Sequence, residues 1–139
     1  MLARSSLFSL ITETIFETSV DLDDERSQSI MHCFPVAFLT EKVWKAVRTK
    51  HPFIIASAPH TIAAFKDLGY KSFHPYINES YDSIENDYER LIAIMDEVTR
   101  LCNMSDQETS EWLEKVHEIT DYNYQKLSKV SLYIKNSKW

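Results

Sequence analysis

The chain has one glycine, Gly69, in 139 residues. A single glycine cannot write either G-x-x-x-x-G-K-[ST] or G-x-G-x-x-G, so glycine-rich phosphate loops are excluded. Any phosphate must be held by side chains and helix N-termini. Cysteine is almost as scarce: only Cys33 and Cys102 occur. Cys33 lies in no recognisable nucleophile context, and the expectation is a reduced, cytoplasmic chain. The opening run MLARSSLFSLITETIF is broken by Thr12 and Glu13 and does not read as a signal peptide. No uninterrupted apolar run approaches the roughly 18 residues of a membrane span. The histidines form no H-x-x-x-H or H-E-x-x-H pair, which argues against zinc. Excess basic charge is also missing. The formal net charge of -6 speaks against a general nucleic-acid or anionic-membrane binder.

What is present has a globular balance, 44% hydrophobic and 26% charged, enough for one domain over residues 1–139 with a real core. Residues 7–12, LFSLIT, predict a strand. Residues 19–29 are polar and acidic and predict a surface loop, and VAFL (36–39) a second short strand or an approach segment. Thr40 reads as an N-cap of a helix over 41–50, with Val43, Trp44 and Val47 on one face and Pro52 as its stop. PFIIA (52–56) is the apolar run of a strand buried on both faces. Pro59 suits the start of the next helix, where Ile62, Phe65 and Leu68 share helical spacing and Gly69 is a C′ stop. YKSF (70–73) predicts another short strand. Strands alternating with helices predict a parallel sheet with crossover connections.

The second half is helical. Residues 86–103 put Tyr88, Leu91, Ile92, Met95, Val98 and Cys102 on one stripe. Ser105 and Glu108 form a capping-box pattern ahead of a last helix carrying Trp112, Val116, Ile119, Leu127 and Val130, a stripe expected to be core. The expected fold class is α/β: a short parallel sheet flanked by helices, with a C-terminal helical pair.

The junction Phe38-Leu39-Thr40-Glu41-Lys42 sets three hydrogen-bonding side chains between an apolar run and a helix. It follows a strand ending in Thr12-Glu13-Thr14 and precedes Pro52-Phe53-Ile54-Ile55. This order, over roughly residues 7 to 75, resembles the C-terminal, donor-binding half of GT-B glycosyltransferases, most closely the α-1,3-fucosyltransferase-like group. The pattern PFI, LGYKSF, NESYD is also similar to marine-phage-type sequences that carry no known activity. The resemblance implies half of a GT-B fold, Rossmann-like, and a hexosyl or fucosyl transfer. It implies a nucleoside-diphosphate sugar as donor, GDP-linked among the candidates, with no other cofactor. It assigns Glu41 to the ribose hydroxyls and Lys42 to the diphosphate, with Glu13 and Thr40 in the same site. Thr14 stands where the family has Asn, and Ala56-Ser57-Ala58-Pro59 where it has a glycine. The family's other half, which supplies the acceptor site and the general base, is outside the match. The chain alone is therefore expected not to transfer sugar. Its expected partners are a nucleotide sugar and either a separate N-terminal acceptor-binding subunit or further copies of itself.

Elementary chemistry suits these roles. A carboxylate accepts two hydroxyl hydrogen bonds, as a ribose diol requires. An ammonium beside a helix N-terminus adds its charge to the positive end of the dipole. In open α/β sheets, ligands sit at the carboxyl ends of the strands. A plainer reading is that Thr40-Glu41-Lys42 is an N-cap and a solvated first turn, Glu13 a solvated strand end, and the chain a non-catalytic interaction module that keeps the fold. The carboxylates of residues 78–87 lack EF-hand spacing, so Asp82 or Asn86 is expected as a helix N-cap. His60 is expected in a capping or surface role, within reach of a phosphate.

Overall fold

The computed structural model describes residues 6–13 and 39–136, with side chains through residue 132. The acidic loop, Thr14, Cys33 and all of VAFL except Leu39 lie outside the described residues. Strand β1 (Ser9–Thr12) pairs in parallel with β2 (Phe53–Ala56), Ser9 opposite Phe53 and Thr12 opposite Ala56. The ladder runs on at both ends through Ser9 N–H to the Pro52 carbonyl, 2.9 Å, and Glu13 N–H to the Ala56 carbonyl, 3.0 Å. Every residue of β2 is buried, as its apolar run predicts. β1 buries Ile11 and exposes Leu10, the alternation of a strand covered on one face.

Helix α1 (Glu41–Arg48) connects the two strands and buries Val43, Ala46 and Val47. It stops short of the expected residue 50. Lys50 adopts φ 52°, and the His51 N–H closes back on the Ala46 carbonyl at 3.0 Å. This left-handed closure ends the helix before Pro52 can. Helix α2 (Thr61–Asp67) follows β2, and Gly69 stands after it at φ 90°, the C′ role its position predicts.

YKSF is not a strand. Its backbone groups are satisfied by side chains instead. Lys71 N–H donates to the buried Asn123 Oδ1 at 2.8 Å, and Asn123 Nδ2 donates back to the Lys71 carbonyl at 2.9 Å. His74 N–H donates to Glu79 at 2.8 Å. The segment is held in place by its aromatic rings. Tyr70 stacks on Phe65 at 5.0 Å and tilts against Trp44 at 5.2 Å, while Phe73 meets Phe53 edge-on at 5.0 Å.

Helix α3 (Asp87–Cys102) is capped by Asn86, and helix α4 (Asp106–Asn136) opens with the capping box, Ser105 N–H to Glu108 at 2.7 Å and Glu108 N–H to Ser105 Oγ at 3.2 Å. At 31 residues, α4 is about 46 Å long. It straps the domain from Tyr76, whose carbonyl takes the Trp112 indole N–H at 2.8 Å, to the turn after α1, where Asp121 pairs with Lys50 at 2.7 Å. Trp112 and Val116 are core, Ile119 and Leu127 half-buried, and Val130 exposed, so the expected core stripe thins out along the helix. No described helix is long and apolar enough to cross a membrane.

The stripe expected on α3 faces outward. Tyr88, Leu91, Ile92, Met95 and Cys102 are exposed and Val98 is half-buried; the inner face is Arg90, Ile94, Glu97 and Leu101. The reason is the backbone beneath it. Arg90 donates to the carbonyls of Ser57 (3.0 Å), Ile84 (2.8 Å) and Glu85 (3.2 Å) and pairs with Asp87 at 2.7 Å. Glu97 takes the Asn78 N–H at 2.8 Å and a two-nitrogen grip from Arg100 at 2.9 and 2.6 Å. Turns have orphan backbone groups that must be paired when buried.

Candidate functional site

The carboxyl ends of β1 and β2 open toward the N-termini of α1 and α2. At β1, the strand delivers Glu13 into the interior rather than into solvent. Thr40 N–H donates to Glu13 Oε1 at 3.1 Å, and the Thr40 hydroxyl donates to Glu13 Oε2 at 2.6 Å. The same hydroxyl oxygen accepts the Lys42 N–H at 3.3 Å. Thr40 is thus the expected N-cap, with an added contact to a residue 27 positions earlier. The solvated strand-end reading of Glu13 is corrected: its carboxylate is buried and latches α1 to β1.

Glu41 and Lys42 are exposed on the first turn of α1. Lys42 reaches back over the strand end, its Nζ donating to the Thr12 carbonyl at 2.7 Å. So Glu13, Thr40 and Lys42 converge. Glu41 points elsewhere, because consecutive helical residues differ by about 100° around the axis. Lys42 lines a cleft of about 550 Å³ with Ser9, Leu10, Thr12, Lys45 and Thr49. Glu41 lines a different groove, about 720 Å³, with Trp44, Arg48, Tyr70, Leu127 and Val130.

The end of β2 is closed. Asp82 accepts the Ile62 and Ala63 N–H groups at 2.8 and 3.1 Å. A carboxylate from a distant turn therefore occupies the place an anion would take on α2. Asp82 serves as a cap, as expected, but for α2 and not for the helix that follows it; Asn86 caps that one. His60, at φ 64°, pairs with Glu85 at 2.7 Å at the surface. Thr61 donates to the Ala58 carbonyl at 2.7 Å, and Arg90 holds the Ser57 carbonyl from below.

Burial, and then the Glu79 carboxylate, push the Tyr81 phenol far above its ordinary value. Burial also raises the Glu79 carboxyl, against hydrogen bonds from Ser72, His74 and Phe73. Among the described residues no cluster of three His, Cys, Asp or Glu side chains could hold a metal ion.

Residue-by-residue reading missed Arg90, Glu97 and Asn123. Asn123 interrupts the apolar stripe of α4, which is a signal; Arg90 and Glu97 lie on the face of α3 opposite its apolar stripe, where charge is ordinary and nothing marks them. No family model, no curated protein and no solved structure matches this chain.

Proposed function

We propose that this chain is a nucleotide-sugar-binding domain, akin to the donor half of a glycosyltransferase and inactive in transfer by itself. The observation that carries the reading is the Glu13–Thr40 latch. It holds a short helix by its N-terminus at the carboxyl end of a parallel strand pair, with the Lys42 ammonium 2.7 Å from the Thr12 carbonyl. A diphosphate entering there meets the exposed Lys42 ammonium on the first turn of α1, beside the buried Glu13 carboxylate that already takes the Thr40 N–H. In this reading Lys42 contacts the diphosphate from its own cleft, and the ribose crosses the first turn of α1 to the exposed carboxylate of Glu41 in the adjoining groove. Glu13 and Thr40 position the turn. Transfer requires donor and acceptor to be oriented against a base, which a second unit would supply.

Calorimetric titration with GDP tests this. Weak binding is expected. Lys42→Ala should lower affinity about tenfold, the loss of one charge-assisted hydrogen bond. Glu41→Gln should weaken GDP more than inorganic diphosphate, which has no diol. Absence of heat at millimolar GDP, or equal binding by wild type and Lys42→Ala, refutes the reading.

A second reading, an interaction module that keeps the fold without the chemistry, is favoured by the outward apolar stripe of α3.

A further inference from the structure

Helix α3 turns Arg90, Ile94, Glu97 and Leu101 inward and leaves four large apolar side chains outward. Tyr88 is 73% exposed, Leu91 42%, Ile92 44% and Met95 44%, with Cys102 exposed in line with them. Their spacing makes one continuous stripe on one face. Singly exposed apolar residues are ordinary, but a contiguous helical stripe marks a contact surface. One border of the stripe is acidic: Glu89 and Asp96 both stand exposed. Both basic residues of α3 are engaged elsewhere, Arg90 with the turn below and Arg100 with Glu97. The stripe therefore calls for an apolar partner with positive charge.

The far end of α4 has that chemistry. From Tyr122 to Asn136, its last residue, the sequence has three lysines, Lys126, Lys129 and Lys135, and no acid. Val130 is 45% and Leu132 60% exposed there, beside the exposed Lys129. This end cannot fold onto its own α3. Helix α4 leaves the end of α3 and runs about 46 Å, pinned to the turn after α1 by the Lys50–Asp121 pair. We infer that the α3 stripe is covered by the C-terminal turns of α4 from a second copy of the chain, and that two copies exchange these contacts reciprocally about a twofold axis.

Two other occupants fit less well. An antiparallel α3–α3 pair would bring Asp96 toward its own symmetry mate, with no basic residue to answer it. Residues 14–38 contain Glu17, Asp21, Asp23, Asp24 and Glu25 against the single Arg26, the same sign as the border of the stripe. The inference names the partner that the interaction-module reading leaves open. The groove of Glu41 shares Leu127 and Val130 with this end of α4, so dimerisation is measured without nucleotide and nucleotide binding on the dilute monomer, and the failure of either is recognisable without the other.

Sedimentation velocity on the 139-residue chain, under reducing conditions and from micromolar to submillimolar concentration, tests it. A monomer–dimer equilibrium that weakens with salt is expected. Met95→Glu, at an exposed position, should weaken dimerisation at least about tenfold while leaving thermal unfolding of the dilute monomer unchanged. Asp96→Lys and Lys129→Glu should each weaken it about two- to fivefold, and the two together in one chain should recover part of the loss. That recovery is specific to α4 meeting α3. A strictly monomeric wild type, or a dimer indifferent to Met95→Glu, overturns the inference. So does a dimer sensitive to Met95→Glu but indifferent to Lys129→Glu, which would place another surface against the stripe.

Discussion

Thr40→Val is the sharpest probe of the latch. The substitution keeps the side chain's shape and replaces its hydroxyl with a methyl. Two interactions end with it: the 2.6 Å donation to the buried Glu13 carboxylate and the acceptance of the Lys42 N–H at 3.3 Å. Loss of an N-cap oxygen costs about 1 kcal/mol. Loss of a hydrogen bond to a charged, buried group costs about 1.5 to 3 kcal/mol. The cap bond is long, so its share falls at the low end, and the expected total is about 2 to 4 kcal/mol. For a domain of this size, that lowers the melting temperature by on the order of 10 °C. The assay is urea denaturation of wild type, Thr40→Val, Glu13→Gln and the double variant. Because the two residues touch, the double variant should be more stable than the sum of the single losses predicts, by at least about 1 kcal/mol of coupling. Additive losses, or a Thr40→Val cost under about 0.5 kcal/mol, would show that Glu13 and Thr40 are not an energetic unit, and the account of how α1 is held would fall.

Arg90→Lys keeps the charge but cannot reproduce a planar fork that serves three carbonyls and Asp87 at once. It should cost more than about 2 kcal/mol in the same urea assay, and a near-neutral effect would refute the assignment of Arg90 as an anchor of the inward face of α3. Glu79 supplies a pH test. Its folded pKa is raised from 4.5, chiefly by burial, so its contribution to stability is fully present below that ordinary value and is lost as pH rises through the raised one. Glu79→Gln removes the titration and keeps an acceptor for the His74 N–H. The variant's stability relative to wild type should therefore climb between acid and neutral pH, and a relative stability that falls over that range contradicts the sign.

Local features could be read from the residues because their partners lie within a turn of each other. Thr40 as N-cap, the Ser105–Glu108 box, the Asn86 cap and Gly69 as C′ stop are of this kind. So is β2, whose unbroken apolar run leaves no solvated face. The same holds for Glu41 and Lys42, which a first helical turn exposes whatever surrounds it. Contacts between distant residues were not legible. Asp82 caps a helix 20 residues behind it, Asn123 takes the backbone of Lys71 from 52 residues away, and Glu13 is buried only because Thr40 comes to meet it. Helix α3 is the clearest case. Apolar periodicity measures which face would gain from leaving water, and it pointed to Tyr88, Leu91, Ile92 and Met95. The folded chain instead turned inward the face bearing Arg90, Ile94, Glu97 and Leu101, where Arg90 pairs the buried Ser57 carbonyl and the part-buried Ile84 carbonyl and Glu97 pairs the Asn78 N–H. An unpaired buried backbone group costs as much as an apolar side chain gains by burial, and where such groups lie is known only once the chain has folded around them.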